Sequence, residues 1–136
     1  MAVFLGDRYI LTFRDHGVGD AFADVRHRVR HGRTRLGQLG ADHLCALLLD
    51  AVVDGYFPAL DRLADEIDQL QDDAIQTAST WTLQRLFTLK RELIGFRRAV
   101  SPAREIFNQL TNRDLALIDP NEVLYFRDVY DHLIRL

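Results

Sequence analysis

Two long stretches of heptad-spaced apolar residues constrain the fold of this chain more than any other feature. The stretches cover residues 41–75 and about 86–110, and their apolar side chains recur at alternating spacings of three and four. That spacing places them along one side of a helix. Because only the short polar segment 76–80 separates the stretches, the sequence predicts a long antiparallel helical hairpin over residues 41–111. The two seams are Val53, Tyr56, Leu60, Leu63, Ile67, Leu70 and Ala74, then Leu86, Leu89, Leu93, Phe96, Val100, Ala103, Phe107 and Leu110.

Two prolines and a polar turn punctuate this hairpin. Pro58 removes a backbone hydrogen bond to Asp54, so a kink is expected near Asp54 and Gly55. Pro102 interrupts the second helix in the same way. Ser79 or Thr80 is a candidate N-cap for that helix. The first helix is strongly acidic and the second is basic, with net charges of −7 over residues 46–76 and +4 over residues 82–111. These facing charges favour the pairing.

The N-terminal region predicts a small β-structure followed by a helix. Residues 3–5 and Tyr9–Phe13 are apolar runs separated by a short turn, which is typical of a β-hairpin. Both runs are almost continuously apolar, so we expect burial on both faces and further strands upstream of Met1. A helix is predicted over residues 20–30, and a polar break with three glycines over residues 32–40. The predicted fold class is therefore α+β, mostly α.

The last residues, 121–136, carry a helical pattern that ends without a stop signal. We therefore expect this chain to be a piece of a longer protein that continues past Leu136. The longest tight apolar run, residues 44–49, is far shorter than the ~18 residues of a membrane span, so no segment is expected to cross a bilayer. The single Cys45 is compatible with a reducing compartment.

Six aspartates of the first long helix form an acidic stripe within roughly 60° of arc, opposite its apolar seam. Carboxylates in a row repel one another, and a divalent cation or a basic neighbour would relieve that cost. Mg²⁺ and Ca²⁺ prefer oxygen ligands of this kind. The alternative is a solvated helix face that pairs with the basic row Lys90, Arg97 and Arg104. The stripe consists of Asp50, Asp54, Asp61, Asp65, Asp68 and Asp72.

Two further pairs have the i, i+4 spacing that brings side chains together on a helix. Asp128 and His132, on the last helix, could share one ion, and the imidazole would favour Co²⁺, Ni²⁺ or Zn²⁺. A hydrogen bond within the helix is the alternative. His27 and His31 lie among arginines that could grip phosphate, but caps or an acidic neighbour explain them as easily. No phosphate loop, zinc spacing or nucleophile motif is present, so no enzyme is predicted.

Three segments of the sequence resemble the cytoplasmic region of the CorA family of divalent metal ion transporters. They are LLLDAVVDGYFPALDRLADEIDQLQ (47–71), LKRELIGFRRAVSPAREIFNQL (89–110) and YFRDVYDHLIRL (125–136). The resemblance extends over nearly the whole chain, and YFRDVYDH is its most specific part.

The resemblance implies the cytoplasmic part of a homopentameric Mg²⁺ channel of the bacterial inner membrane that also passes Co²⁺ and Ni²⁺. Residues 1–40 would be the C-terminal part of an α/β/α domain, 41–111 a helix pair, and 112–136 a loop and the start of a stalk helix. The membrane helices would lie outside this chain.

The resemblance also implies regulatory metal sites between subunits whose occupancy holds the pore shut. By motif position, Asp128 and His132 match stalk residues of such sites, Asp50 matches an acidic contributor, and Asp54 is a weaker match. Two alternatives remain: a zinc-transporting branch of the superfamily, typified by ZntB, and a helical interaction module without a metal or nucleic-acid role.

Overall fold

The computed structural model describes residues 1–14, 19–32, 40–76, 79–112 and 114–136. These residues form two strands and five helices. In chain order they are β1 (Ala2–Gly6), β2 (Tyr9–Phe13), α1 (Ala23–Arg30), α2 (Ala41–Asp54), α3 (Phe57–Gln76), α4 (Thr80–Asn112) and α5 (Val123–Arg135). The prediction of a mostly helical α+β fold is confirmed. Most of the predicted glycine break and the centre of the predicted turn, residues 33–39 and 77–78, lie outside the described residues.

The predicted β-hairpin is confirmed, and it is antiparallel, with Leu5 opposite Ile10. Val3, Leu5 and Ile10 alternate with exposed neighbours and pack against the main core beside α2. The opposite face carries Phe4 and Phe13, which are more than half exposed. The prediction that both faces are buried is therefore not met within the part of the chain that the structure describes.

The predicted kink near Gly55 is a complete break between two helices. α2 ends at Asp54, and α3 begins at Phe57. Pro58 occupies the second position of α3, where its missing N–H costs no intrahelical hydrogen bond. The acidic stripe is thus divided between two helices that pack against different partners, α2 against α5 and α3 against α4.

The long helix α4 packs against different elements along its two halves. Its N-terminal half pairs with α3, and Ser79 caps it by accepting a hydrogen bond from the Thr82 N–H at 3.2 Å. Its C-terminal half packs instead against α5 and α2. The heptad pattern predicts the burial of Leu89, Val100 and Phe107, whereas Leu86 and Leu93 of the same predicted seam are exposed. It does not predict that α5 joins the first long helix in covering Val100 and Phe107.

The main core lies where α2, α4 and α5 meet. Its central side chains, Phe126 and Leu133 of α5, are 1% and 0% exposed. Fourteen hydrophobic residues are buried in the described chain, and most of them belong to this cluster: Cys45, Ala46, Val53, Val100, Phe107, Ile118, Phe126, Val129 and Leu133. A smaller cluster joins Phe22 and Val25 near α1 to Leu48 of α2.

The helical stretch Ala41–Ile75 is long and apolar enough to cross a membrane, judged by length and composition alone. Its most apolar 18 residues have a mean hydropathy of 1.4, a property that the length of uninterrupted apolar runs does not reveal. Cys45, Ala46 and Val53 of this stretch lie in the core against α5. That packing is typical of a core helix in a folded domain.

Candidate metal site

The crossing of α2 and α5 brings together three of the predicted ligands across the chain. The His132 Nδ1–H donates a hydrogen bond to Asp50 Oδ1 at 3.1 Å, and Nδ1 lies 3.6 Å from Asp54 Oδ1. Ligand atoms of these three residues all lie within 4.8 Å of one another. Among the described residues they form the one cluster of this kind. Asp50 and Asp54 of α2 and His132 of α5 therefore form a candidate metal site.

A surface pocket of about 280 Å³ opens beside these residues. Asp50 and His132 line it together with Asp128 and Asp131, and the apolar side of the pocket includes Val129. Asp128 is exposed and lies outside the three-residue cluster, although it faces the same pocket. His132 thus donates its hydrogen bond to Asp50 of α2 and not to Asp128, its predicted partner on the same helix.

The carboxyl group of Asp50 is in an unfavourable environment for a negative charge. Partial burial raises its pKa above the usual value, and the nearby carboxylate of Asp54 raises it further. The hydrogen bond and charge of His132 lower the pKa, and Asp128 adds a smaller upward effect. The net direction is upward. Because this site holds more carboxylates than positively charged groups, a bound cation would relieve the repulsion between the carboxylates.

The donor set suits a small divalent ion. Carboxylate oxygens from Asp50, Asp54 and Asp128 are hard ligands, and Mg²⁺ needs only one or two of them because it retains water. The Nδ1 atom of His132 faces Asp50 and Asp54, so an ion that displaced its proton would be held by Nδ1 together with these carboxylates. An imidazole ligand favours Co²⁺, Ni²⁺ or Zn²⁺ over Mg²⁺.

The other predicted candidates do not join this site. Asp61, Asp65, Asp68 and Asp72 are exposed on α3, and within the described chain none of them forms an ion pair. His27 and His31 stack on α1 with ring centroids 4.0 Å apart, and the Nδ1 of His31 donates to the His27 carbonyl. The second pair is therefore a helix-end contact.

The sequence analysis missed a buried polar network that holds the start of α5 against the start of α2. The His43 side chain lies 2.7 Å from Glu122 Oε2, measured from Nδ1, and the two side chains are 7% and 14% exposed. Asp42 Oδ2 accepts a hydrogen bond from the Asp119 N–H at 2.9 Å. The Tyr125 ring packs edge-on to His43, with centroids 4.6 Å apart. A signal was available, because Asp42 and His43 are polar residues at the start of an apolar helix.

Comparison with known proteins shows that the chain is similar to part of several metal ion transporters. The family model described as CorA-like Mg²⁺ transporter protein matches residues 1–136. The Cobalt/magnesium transport protein CorA of Thermotoga maritima is 38% identical over 136 residues, which are 100% of this chain and 38% of that protein. A protein of Bacillus subtilis named as a metal ion transporter, YfjQ, is 25% identical over 98% of this chain and 41% of its own length.

A more distant relative is the Magnesium transporter ALR2 of Saccharomyces cerevisiae. It is 26% identical over 107 residues, or 76% of this chain and 12% of the yeast protein. The chain thus spans about two-fifths or less of the length of the curated relatives it matches.

Proposed function

The chain belongs to the CorA-like Mg²⁺ transporter protein family, and from this premise we propose that it is the cytoplasmic, ion-sensing part of a divalent-cation transporter. Mg²⁺ and Co²⁺ are the proposed transported ions, because relatives are named as cobalt/magnesium and magnesium transporters. In the full protein, membrane helices outside this chain would form the pore. The proposed assembly is a homopentamer of an integral plasma-membrane protein.

The observation that carries the proposal is the meeting of Asp50, Asp54 and His132 beside the pocket that Asp128 also lines. We propose these four residues as the chain's contribution to a regulatory divalent-cation site between adjacent copies. Carboxylates that repel one another are stabilised together by a cation. The pKa of Asp50 is raised first by partial burial and second by the neighbouring carboxylate of Asp54.

The location of the site supports a role in gating. Asp50 and Asp54 belong to α2, whereas Asp128 and His132 belong to α5, so an ion held by both helices would favour one relative position of the two. An ion that binds one arrangement more tightly shifts the population toward that arrangement. The ion's concentration would therefore shift the equilibrium between a closed and an open assembly, with the bound ion favouring the closed one.

His132 favours a second candidate within the same superfamily, a transporter of zinc. Its imidazole is a better ligand for Zn²⁺, Co²⁺ or Ni²⁺ than for Mg²⁺. The two candidates differ in the order of ion affinities at the pocket. A non-metal interaction module, the remaining alternative, would show no ion-dependent stabilisation at all.

Thermal unfolding of this chain with Mg²⁺, Co²⁺ and Zn²⁺ tests the site. An ion that binds only the folded chain stabilises it by about 2.7 kcal/mol at 100 times its Kd. We expect the wild type to gain stability with the ion. Asp50→Asn should lose most of that gain.

The matched control is Asp65→Asn, which removes the same charge from the exposed face of α3 and should keep the full gain. Equal ion-dependent stabilisation of the wild type and Asp50→Asn would contradict the site. In the full-length transporter, Asp128→Ala should leave transport less inhibited by Mg²⁺, and unchanged inhibition would count against the sensing role.

A further inference from the structure

The N-terminal half of α4 and the adjoining side of α3 form an open apolar groove of about 490 Å³. Ile67 and Leu93 are each 36% exposed there, and Ile94 and Leu86 are 43% and 52% exposed. Lys90 and Arg97 complete the lining. Apolar side chains that line one groove and remain open to water are typical of a surface that binds another protein.

The charges beside this groove are not neutralised within one copy. In the part of the chain that the structure describes, Arg85 and Glu66 form the one ion pair between α3 and α4. Lys90 and Arg97 form none, and both are exposed. Further along α4, the Nε atom of Arg104 is buried and has no hydrogen-bond partner among the described atoms. The groove therefore offers an apolar floor with a basic edge, which fits a partner of opposite charge.

The acidic stripe on α3 has the complementary chemistry. Asp61, Asp65, Asp68 and Asp72 are exposed and lie opposite the seam that packs on α4. Among the described residues none of them forms an ion pair with the basic edge of its own copy. Ile75, which is 77% exposed, lies near the end of the same helix. The α3 helix thus presents acidic side chains beside an exposed apolar one.

We propose that the stripe on α3 of one copy docks on the groove and basic edge of α4 in a neighbouring copy. The contact joins two different surfaces of the same chain, so it is head-to-tail and propagates around a ring when the rotation closes. It lies on the half of the helical hairpin that is remote from α5, and it does not depend on the metal site.

The spacing of the charges supports this contact. Lys90, Arg97 and Arg104 recur every seven residues on α4, and Asp61 and Asp68 have the same separation on α3. At 1.5 Å of rise per residue, both repeats are about 10.5 Å long. Asp65 and Asp72 repeat the spacing on the same stripe. Lys90 and Arg97, which line the groove, can therefore each find a carboxylate in register, as flanking charges do in coiled coils.

The single lysine of the chain, Lys90, makes a direct test possible. A carbodiimide couples lysine amines to carboxylates without a spacer, and apart from the N-terminus this chain offers only that amine. In a mixture of unlabelled and ¹⁵N-labelled chains, we expect mixed-isotope cross-links between Lys90 and the stripe aspartates. Lys90→Arg keeps the charge and should self-associate normally without these cross-links. Same-isotope products alone, or no product with α3, would overturn the proposal.

Charge reversal provides an independent test by sedimentation velocity. Lys90→Glu with Arg97→Glu should abolish self-association, and so should Asp61→Lys with Asp68→Lys. Mixing the two variants should restore association, because each then meets an opposite charge. Association of the wild type should weaken about tenfold or more between low and high salt.

The matched control for charge reversal is Arg91→Glu with Arg98→Glu. This pair makes the same change at exposed positions that do not line the groove, and it should keep self-association. Loss of association in the control to the same degree, or no recovery in the mixture, would overturn the proposal. Circular dichroism of every variant checks that the helices remain folded.

Discussion

The two halves of α4 show how one continuous helix supports two different roles. The C-terminal half packs against α2 and α5, and Val100 and Phe107 are only 3% and 4% exposed. The N-terminal half packs against α3 alone and leaves Leu86 and Phe87 more than half exposed. The packed half fixes α2 against α5 and so creates the metal pocket. The open half leaves exposed apolar side chains beside Lys90 and Arg97, which form no ion pair among the described residues.

The largest expected effect on stability compares one leucine of the packed core with one leucine of the open half of α4. Leu133→Ala, at the fully buried centre of the α2–α4–α5 core, should lower the free energy of unfolding by about 2–5 kcal/mol because it leaves a cavity. Leu86→Ala, at a 52% exposed position on the open half, should change it by less than about 0.5 kcal/mol. Urea unfolding measures both. Equal losses would mean that the two regions are packed alike.

The next effect compares two ion pairs, one from each region. Glu122→Ala leaves His43 buried without its partner, so we expect a loss of about 1–3 kcal/mol in the free energy of unfolding. Glu66→Ala breaks the pair with Arg85, whose side chains are 35% and 40% exposed. Such an exposed pair contributes at most about 1 kcal/mol. A larger loss from Glu66→Ala than from Glu122→Ala in urea unfolding would reverse the comparison.

A smaller effect, an increase in the free energy of unfolding, is expected when Asp50 is replaced. The raised pKa of Asp50 means that the folded chain binds its proton more tightly than the unfolded chain does. Stability is therefore favoured at low pH and falls as the pH rises through the folded-state pKa, so the ionised carboxylate is destabilising at neutral pH. Without divalent ions at pH 7, Asp50→Asn should be slightly more stable than the wild type. Asp65→Asn is the control, and a destabilised Asp50→Asn would contradict this account.

The smallest effect on stability at neutral pH concerns Cys45. Burial, helped by the charge of Asp42, raises the thiol pKa from its usual 9.0 to about 11, and a shift of that size lowers the thiolate fraction about 100-fold. Alkylation at pH 8 should be slow in the folded chain and fast in denaturant. Because only the folded thiol keeps its proton above pH 9, stability should fall as the pH rises from 9 to 11. Rapid alkylation under native conditions would show that the core is open.

Local sequence patterns predicted the elements of this fold but not all of their partners. The spacing of apolar residues predicted the helices, and Pro58 predicted the break that follows α2. The seam on α4 gave no information on which helix covers it, because any apolar face satisfies the same pattern. The predicted hairpin gave Val100 and Phe107 a partner in the first long helix, but it did not predict that they share one core with Phe126 of α5.

The candidate site divides in the same way. Asp50 and Asp54 were found as part of an acidic stripe, and His132 as part of a pair on the last helix. Their meeting depends on the packing of α2 against α5, which brings together Asp50 and His132, 82 residues apart in sequence. No local pattern encodes that packing. The network of Asp42, His43 and Glu122 was missed because its members are isolated in sequence and become neighbours only after folding.

The most direct test of the account is to locate a bound ion. Crystals of this chain grown or soaked with Co²⁺ should give anomalous density at the α2–α5 pocket, within coordination distance of Asp50, Asp54 or His132, and Asp50→Asn crystals should lose that density. Density confined to the exposed aspartates of α3, or density at the pocket that persists unchanged in Asp50→Asn, would contradict the assignment of this pocket as the cation site.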